Sequence, residues 1–328
     1  MASKRIGHHI VVSSAKNQGS QRVPLEVQRK TLTKTAGSWA NRSGMRLESG
    51  ARIAFQGERG AFSEEAAVKL LGDGIVLVPR PTFEAMFDSI NKNAADYILA
   101  PIENTLAGSV HRTFDLLIES RLSIIAEEII PIVHNLVGVQ GATIEQITTV
   151  ESHPVALAQC EGFFHDRPEL KRIATEDTAG SVRAIVSAAD PSRAAIASRR
   201  AAEIHGGRIL RDHLEDNSEN YTRFLLLGPS SKTFDAANKL SLVFQAAHRP
   251  GALFHALGPF ARRGINLMKI ESRPIAGRPW EYRFYLDLQA SALDPEVEAA
   301  IAELEKLSVN LRILGSYASA EIFSAKAN

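Results

Sequence analysis

The sequence predicts an α/β protein with largely parallel sheets, joined to a smaller ferredoxin-like βαββαβ module. Three observations carry this. Strand and helix patterns alternate from residue 52 to about residue 228, which argues for βα units. A stretch of linker composition, "PSSKTFDAANK" at residues 229–239, then interrupts them. Beyond it the order becomes β-α-β-β-α-β over roughly 80 residues, the split βαβ arrangement.

The first fifty residues, 1–50, stand apart. Nine Lys and Arg face only Glu26 and Glu48, so this tail is +7 and the remaining 278 residues are −6. Such a composition buries too little apolar surface to fold alone, and the tail is expected to be disordered. It fits an organelle transit peptide, which would place the protein in the plastid stroma. It fits equally a start site assigned upstream of Met45, which opens "MRLESGARIAFQG"; the protein would then be cytoplasmic if bacterial. Over all 328 residues the net charge is +1, with 45% hydrophobic and 23% charged residues. No field draws the molecule to nucleic acid or an anionic membrane, and no apolar run is long enough to span a bilayer. The single cysteine, Cys160, excludes an internal disulfide and suits a reducing compartment.

Taken in order, Ile53 to Phe55 form a buried strand stopped by Gly57 and Gly60. Ser63 caps the next helix, with Glu64 and Glu65 in its first turn, where acids favour the helix dipole. "GIVLVP" (74–79) is a strand, "TFEAMFDSIN" (82–91) a helix and "DYILAPIE" (96–103) a strand. In "SVHRTFDLLIES" (109–120), Val110, Phe114 and Leu117 share one helical face. Strand-like runs follow at 123–139. Three further helices each follow a polar cap: Ser152, then Asp177 with Thr178, then Ser192 after Pro191, the last preceded by a short strand at Ala195–Ile196. The apolar run Phe224–Leu227 closes this domain, 51–228, near Gly228.

In the second module, 240–318, Leu240, Leu242 and Phe244 alternate as a strand. Pro250 and Gly251 open a helix closed by Gly264, with Gly258–Pro259 expected to kink it or delay its start. "INLMKIESRP" (265–274) and the alternating Tyr282, Phe284, Leu286 and Leu288 are strands. Asp294 and Pro295 start a helix carrying Val297, Ile301 and Leu304 on one face. "LRILGSY" (311–317) is the last strand, and 319–328 is a C-terminal tail.

Familiar catalytic signatures are missing. "GERGAF" lacks dinucleotide-loop and P-loop spacing. The chain has no HExxH, CxxC or GxSxG, and its ten His are scattered without metal-ligand spacing. What the larger domain offers is polar residues at strand ends and helix starts: Glu103, Asn104 and Thr105, then Ser152 and His153, then Asp177 and Thr178. Helix starts present unpaired N–H groups to carboxylates, although each such residue alone is more often a cap. Gln159 lies two turns beyond Ser152. Together they outline a cleft of neutral donors with few strong bases.

The segments "RIAFQGERGAFSEEAA", "APIENTLAGSVHRTFDLL", "ESHPVALAQCE", "EDTAG", "AAIASRRAAEIHGGRIL" and "NYTRFLLLG" resemble, in this order, the catalytic domain of the prephenate and arogenate dehydratases. "RPGALFHALGPFARRGINLMKIESRP" resembles their C-terminal ACT domain. The resemblance covers about residues 52–317. It implies a two-lobed catalytic domain similar to type II periplasmic binding proteins, with the site between the lobes. It implies conversion of prephenate to phenylpyruvate with loss of water and CO2, without cofactor or metal. Arogenate is the alternative substrate, and a non-catalytic carboxylate or amino-acid sensor of the same fold the alternative class.

Carried over by motif, Thr222 would stabilise the leaving hydroxyl by a hydrogen bond. Glu103, Asn104 and Gln159 would orient substrate, and Thr105, His153, Asp177 and Ala179 would line the site. Arg223 and the helix-start donors at Ser152 and Thr178 would hold carboxylates, unless Arg223 only braces its strand through an acid of its own lobe. Phe224 would pack the apolar wall. Phenylalanine would bind between modules of two subunits in a homodimer or homotetramer. Its site would include Gly251, Ala252, Leu253, Phe254, Asn266 and Leu267, together with Glu271, Ser272, Arg273 and Pro274 of "ESRP". Val155 and Ala61 depart from the family's frequent Gln and Thr. A chain ending near residue 228 is expected to stay active but lose its response to phenylalanine, unless the ACT module also holds the dimer together.

Overall fold

The computed structural model describes residues 47–229 and 236–320. The expectations for residues 1–46, 230–235 and 321–328 lie outside the described residues.

The first lobe is built on a mixed sheet. Its strands are β1 (Arg52–Gln56), β2 (Val76–Arg80), β3 (Tyr97–Asn104), β4 (Gly108–Ser109), β5 (Ser123–Pro131) and β11 (Tyr221–Gly228), in the order β2-β1-β3-β11-β5 with β4 against β3. Its helices are α1 (Phe62–Leu71), α2 (Phe83–Asn91) and α3 (His111–Glu119). The second lobe holds β6 (Asn135–Gly138), β7 (Thr149–Ser152), β8 (Lys171–Ala174), β9 (Arg193–Ala197) and β10 (Arg208–Arg211), in the order β10-β6-β9-β7-β8. Around it lie α4 (Pro154–Ala158), α5 (Glu161–His165), α6 (Thr178–Ala188) and α7 (Arg199–His205).

The expectation of largely parallel sheets needs correction. Only β1, β2 and β3 in the first sheet, and β7, β8 and β9 in the second, run parallel. The chain leaves the first lobe after β5 and re-enters it at β11, which inserts antiparallel between β3 and β5. Two crossings, not one, therefore join the lobes. The four-residue strands β7, β8 and β10 were not anticipated; β8 and β10 are largely exposed and lack the alternation that marks a strand.

Local chemistry explains the helix starts. Thr82, Asp177, Ser198 and Asp294 accept hydrogen bonds from Ala85, Gly180, Ala201 and Glu296 N–H respectively. Three expected caps fail. Ser192 lies in the turn before β9, its hydroxyl donating to Asp190, and Ser198 caps α7 instead. Ala61 precedes α1 without a side-chain cap, and Ser63 is buried inside the first turn. His153, not Ser152, caps α4, by accepting from Val155 N–H. The ACT-like helix α8 (Ala252–Arg262) starts on time and continues through the buried Pro259. The preceding Gly258 has no Cβ to clash with the pyrrolidine ring, which removes part of the usual restriction.

The lobes meet at a buried carboxylate. Glu64 accepts from Gly60 N–H at 3.0 Å, from Arg59 Nε at 2.7 Å and from Arg200 Nε of the second lobe at 2.9 Å. Gly60 has φ +89°, and a Cβ there would lie 2.6 Å from Ala201 Cα, so the close approach requires glycine.

The third sheet holds β12 (Lys239–Ala246), β13 (Leu267–Ile275), β14 (Arg278–Leu288) and β15 (Ser308–Tyr317), ordered β13-β14-β12-β15 and antiparallel throughout. With α8 and α9 (Pro295–Leu307) it forms the expected βαββαβ module. One face packs on its helices through Leu240, Leu242, Phe244 and Leu286. The other joins the first lobe's own core, where Val243, Tyr285, Leu314 and Tyr317 cluster with Ile98, Ile102, Leu117 and Leu225. A Cβ at Gly315 would strike the Ile124 carbonyl, so the sheet lies directly on β5. Among the described residues no helix is long and apolar enough to cross a membrane.

Candidate active site

Neutral amides gather where β3 and β11 pair. Thr222 lies opposite Asn104, and Asn104 Nδ2 donates to Thr222 Oγ1 at 2.9 Å and to Asn220 Oδ1 at 2.8 Å. Asn104 Oδ1 is itself fixed by Leu106 and Ala107 N–H. Because the Thr222 oxygen already accepts, its proton is available to an outside acceptor.

From the second lobe, Gln159 Oε1 accepts from Asn220 Nδ2 at 3.0 Å and meets His134 Nε2 at 2.9 Å. An amide oxygen only accepts, so His134 donates through Nε2 and leaves Nδ1 bare; that atom is buried without a partner. Burial keeps this imidazole neutral, depressing its pKa against the opposing pulls of Gln159 and Glu215. Phe62 meets the ring edge-on at 5.8 Å. With its oxygen held twice, Gln159 is left with its NH2 to offer. Thr222, Asn104 and Gln159 thus come together as expected, although Gln159 ends α4 as its C-cap instead of riding a continuous helix.

Asn220 and His134 were missed. Asn220 sits two residues before Thr222, on the same face of an extended segment, a signal that was available. Nothing local marks His134.

Several expected residues are occupied elsewhere. Glu103 points away, because neighbouring strand residues alternate faces: Thr222 pairs with Asn104 on one side, and Arg223 pairs with Glu103 on the other. There it meets Lys269 of the third sheet at 2.7 Å. Arg223 lies on that same far face, donating to Glu127 at 2.7 Å, to Asp287 at 2.6 Å and to Tyr317 at 3.1 Å. Three of its five N–H donors are engaged there, on the face away from Thr222, and its brace extends beyond its own lobe. Phe224 is buried in the first lobe's core beside Leu99 and Ile125, not on a wall facing ligand. Thr105 clips the β11 entry, donating to Glu219 O and accepting from Tyr221 N–H.

Ser152 is fully buried, its hydroxyl donating to Ile196 O at 2.6 Å, so it holds no carboxylate. His153 and Asp177 serve as caps, and Ala179 is buried. Thr178 remains as the first residue of α6. β7 and β8 pair in parallel through Ser152 and Ala174, which sets the starts of α4 and α6 side by side at one sheet edge, the usual place for ligands in α/β folds.

At the third sheet, Gly251 adopts φ 76° as the N-cap of α8, and Phe254 is 77% exposed. Ala252 and Leu253 line an open cavity of about 450 Å³ with Trp280 and Tyr282. Asn266 Nδ2 donates to Gln289, and Leu267 packs against the module's core. Glu271 and Arg273 do not line that cavity. They turn to the catalytic lobe, where Glu271 accepts from Ser109 Oγ and Arg273 pairs with Asp115 at 2.8 Å. Ser272 and Pro274 are exposed on the other side.

The family model for prephenate dehydratase matches residues 53–232, and that for the ACT domain residues 240–306. The chain is 40% identical over 286 residues to arogenate dehydratase/prephenate dehydratase 1, chloroplastic, of Arabidopsis thaliana, covering 82% of this chain and 72% of the relative. It is similar to the solved prephenate dehydratase of Arthrobacter aurescens in complex with L-Phe, with TM-score 0.76 and 31% identity over 82% of this chain and 90% of that one. A structure described as GqqA, a novel type of quorum quenching acylase, is also similar, with TM-score 0.76 and 32% identity over 82% and 98% of the two chains.

Proposed function

The chain belongs to the prephenate dehydratase family and carries its ACT domain, and on that premise we propose that it converts prephenate to phenylpyruvate in phenylalanine biosynthesis. It is a hydro-lyase. One observation carries the assignment of the site: Asn104 donates into the Thr222 oxygen, which points the hydroxyl proton outward as a donor. Prephenate loses its ring hydroxyl and one carboxylate while the ring becomes aromatic. That reaction needs orientation and a hydrogen bond on the departing oxygen, but no nucleophile. Thr222 supplies the hydrogen bond. The Gln159 NH2 and the start of α6 at Thr178 receive the polar groups of the substrate. Residues 51–228 form the catalytic domain and 240–318 the regulatory one.

Arogenate is a second substrate, favoured by the relative named for both activities. Acyl transfer is not favoured. It requires an activated nucleophile, whereas the recorded side-chain partner of Thr222 is an amide donor, and the buried Cys160 has its thiol pushed up by burial.

Phenylalanine is the effector in this reading, which the complex of a solved relative with L-Phe supports. Met268, Ile270 and Tyr282 are exposed along one face at the edge of the regulatory sheet, which supports assembly as a homodimer or homotetramer. The test is to incubate the full chain with prephenate and, separately, arogenate, following phenylpyruvate and phenylalanine. Absence of both products at every phenylalanine concentration would sink the enzyme reading and leave the sensor.

A further inference from the structure

Thr222 and Arg223 are neighbours in sequence on opposite faces of β11. Thr222 meets the amides of the candidate active site. Arg223 is held by Glu127 on β5, by Asp287 on β14 and by Tyr317 on β15. Asp287 also accepts from Ser241 Oγ, and Ser241 Oγ lies 2.7 Å from the Tyr317 hydroxyl. Lys239 Nζ reaches Glu127 at 2.9 Å. The cluster therefore holds two cations and two carboxylates, all largely buried, with Lys239, Ser241, Asp287 and Tyr317 contributed by the regulatory sheet. It sits where the β3–β11 register shifts, so that on the β3 side the ladder is interrupted next to Arg223, while β5 stays paired there.

We propose that Arg223 is a positioning residue whose clamp by Glu127 and Asp287 sets where the Thr222 hydroxyl sits, so that the docked regulatory sheet is part of the catalytic geometry. This rests on the dehydratase reading of Thr222. Removing the Asp287 charge leaves Arg223 to seek another partner, and β11 moves with it. A displacement of about 1 Å at a reacting group is enough to cost roughly 100-fold in rate. A rearrangement of the regulatory sheet reaches Asp287 directly and Thr222 one residue later.

The test uses Asp287→Asn and the double variant R223M/D287L in the full chain. The double variant keeps Lys239 and Glu127 as a balanced pair, and apolar replacement of a buried ion pair often preserves stability. For Asp287→Asn, kcat should fall at least about tenfold with KM for prephenate within about twofold, and amide exchange from Tyr221 to Leu225 should quicken. R223M/D287L should unfold at the temperature of the parent yet keep the low kcat. The proposal is overturned if Asp287→Asn leaves kcat within about twofold and exchange unchanged, or if R223M/D287L restores kcat, since the cluster would then only stabilise the fold. A parent enzyme inactive on both substrates would remove the dehydratase reading. The exchange measurement would still decide the clamp, faster exchange in Asp287→Asn supporting it and unchanged exchange overturning it.

Discussion

The polarity of one hydrogen bond decides what Thr222 does. Asn104 gives a proton to the Thr222 oxygen, and the threonine is left to donate. Thr222→Val should lower kcat by about 100-fold or more, the scale of losing one donor to a developing oxyanion, with the melting temperature little changed. Asn104→Asp should be nearly as damaging while keeping the hydroxyl, because a carboxylate would draw the proton inward. The double variant should be no worse than either single, the signature of residues acting as a unit. Additive losses in kcat would show that the two act separately. His134 offers a pH test. Burial holds its folded pKa below the unfolded value of about 6.5, so the unfolded chain takes up the proton first. Stability should therefore fall as pH drops below about 6.5, and the loss should stop growing at the folded pKa. His153, also depressed by burial, acts in the same direction. His134→Gln should flatten part of the decline in a urea-midpoint series. An unchanged slope would assign it elsewhere.

At the scale of elements, hydrophobic periodicity placed most strands and helices, because burial on one face is what a sequence records. The motif around Thr222 was legible for the same reason, its apolar run announcing a core strand. The directions of Glu103 and Arg223 were not legible. Alternation sets both opposite Asn104 and Thr222, but which of the two faces the third sheet covers depends on contacts distant in sequence and leaves no local mark. Ser152 failed similarly: the Ile196 carbonyl that takes its hydroxyl belongs to a distant strand. The contact between lobes is another long-range feature, and it is testable. Glu64 is fully buried beside Arg59, Arg200 and Gly60 N–H. Burial raises its pKa, but these partners outweigh it and hold the carboxyl below its usual value. The carboxylate therefore stabilises the fold above the unfolded pKa, and that contribution is lost as pH falls through the folded one. Glu64→Gln should cost about 3 kcal/mol, the scale for breaking a buried pair, read as a lower urea midpoint at unchanged m-value. A loss below about 0.5 kcal/mol would mean that water already screens the pair.

At the scale of the whole molecule, composition and element order separate two modules, and a separate regulatory module suggests a catalytic part able to stand alone. The structure argues against that. Val243, Tyr285, Leu314 and Tyr317 lie in one core cluster with Ile98, Ile102, Leu117 and Leu225 of the catalytic lobe. Tyr285 donates to Phe114 O at 2.7 Å. Ending the chain at Gly228 would uncover the lobe's side of that contact. Burial of each large apolar side chain is worth about 1.5–3 kcal/mol, so four such side chains come to roughly 6–12 kcal/mol. That is comparable with the entire stability of a typical domain, about 5–15 kcal/mol. Truncation would also leave Arg223 and Glu127 without Asp287 and Lys239. A chain of residues 47–228 should therefore aggregate, or remain soluble only as a loosely packed state that binds hydrophobic dyes and shows no cooperative thermal transition. The measurement is a thermal scan with dye binding, alongside prephenate turnover. A cooperative transition with kcat within a few-fold of the full chain would show that the regulatory sheet is a removable cover, and that the shared core contributes far less than its area suggests.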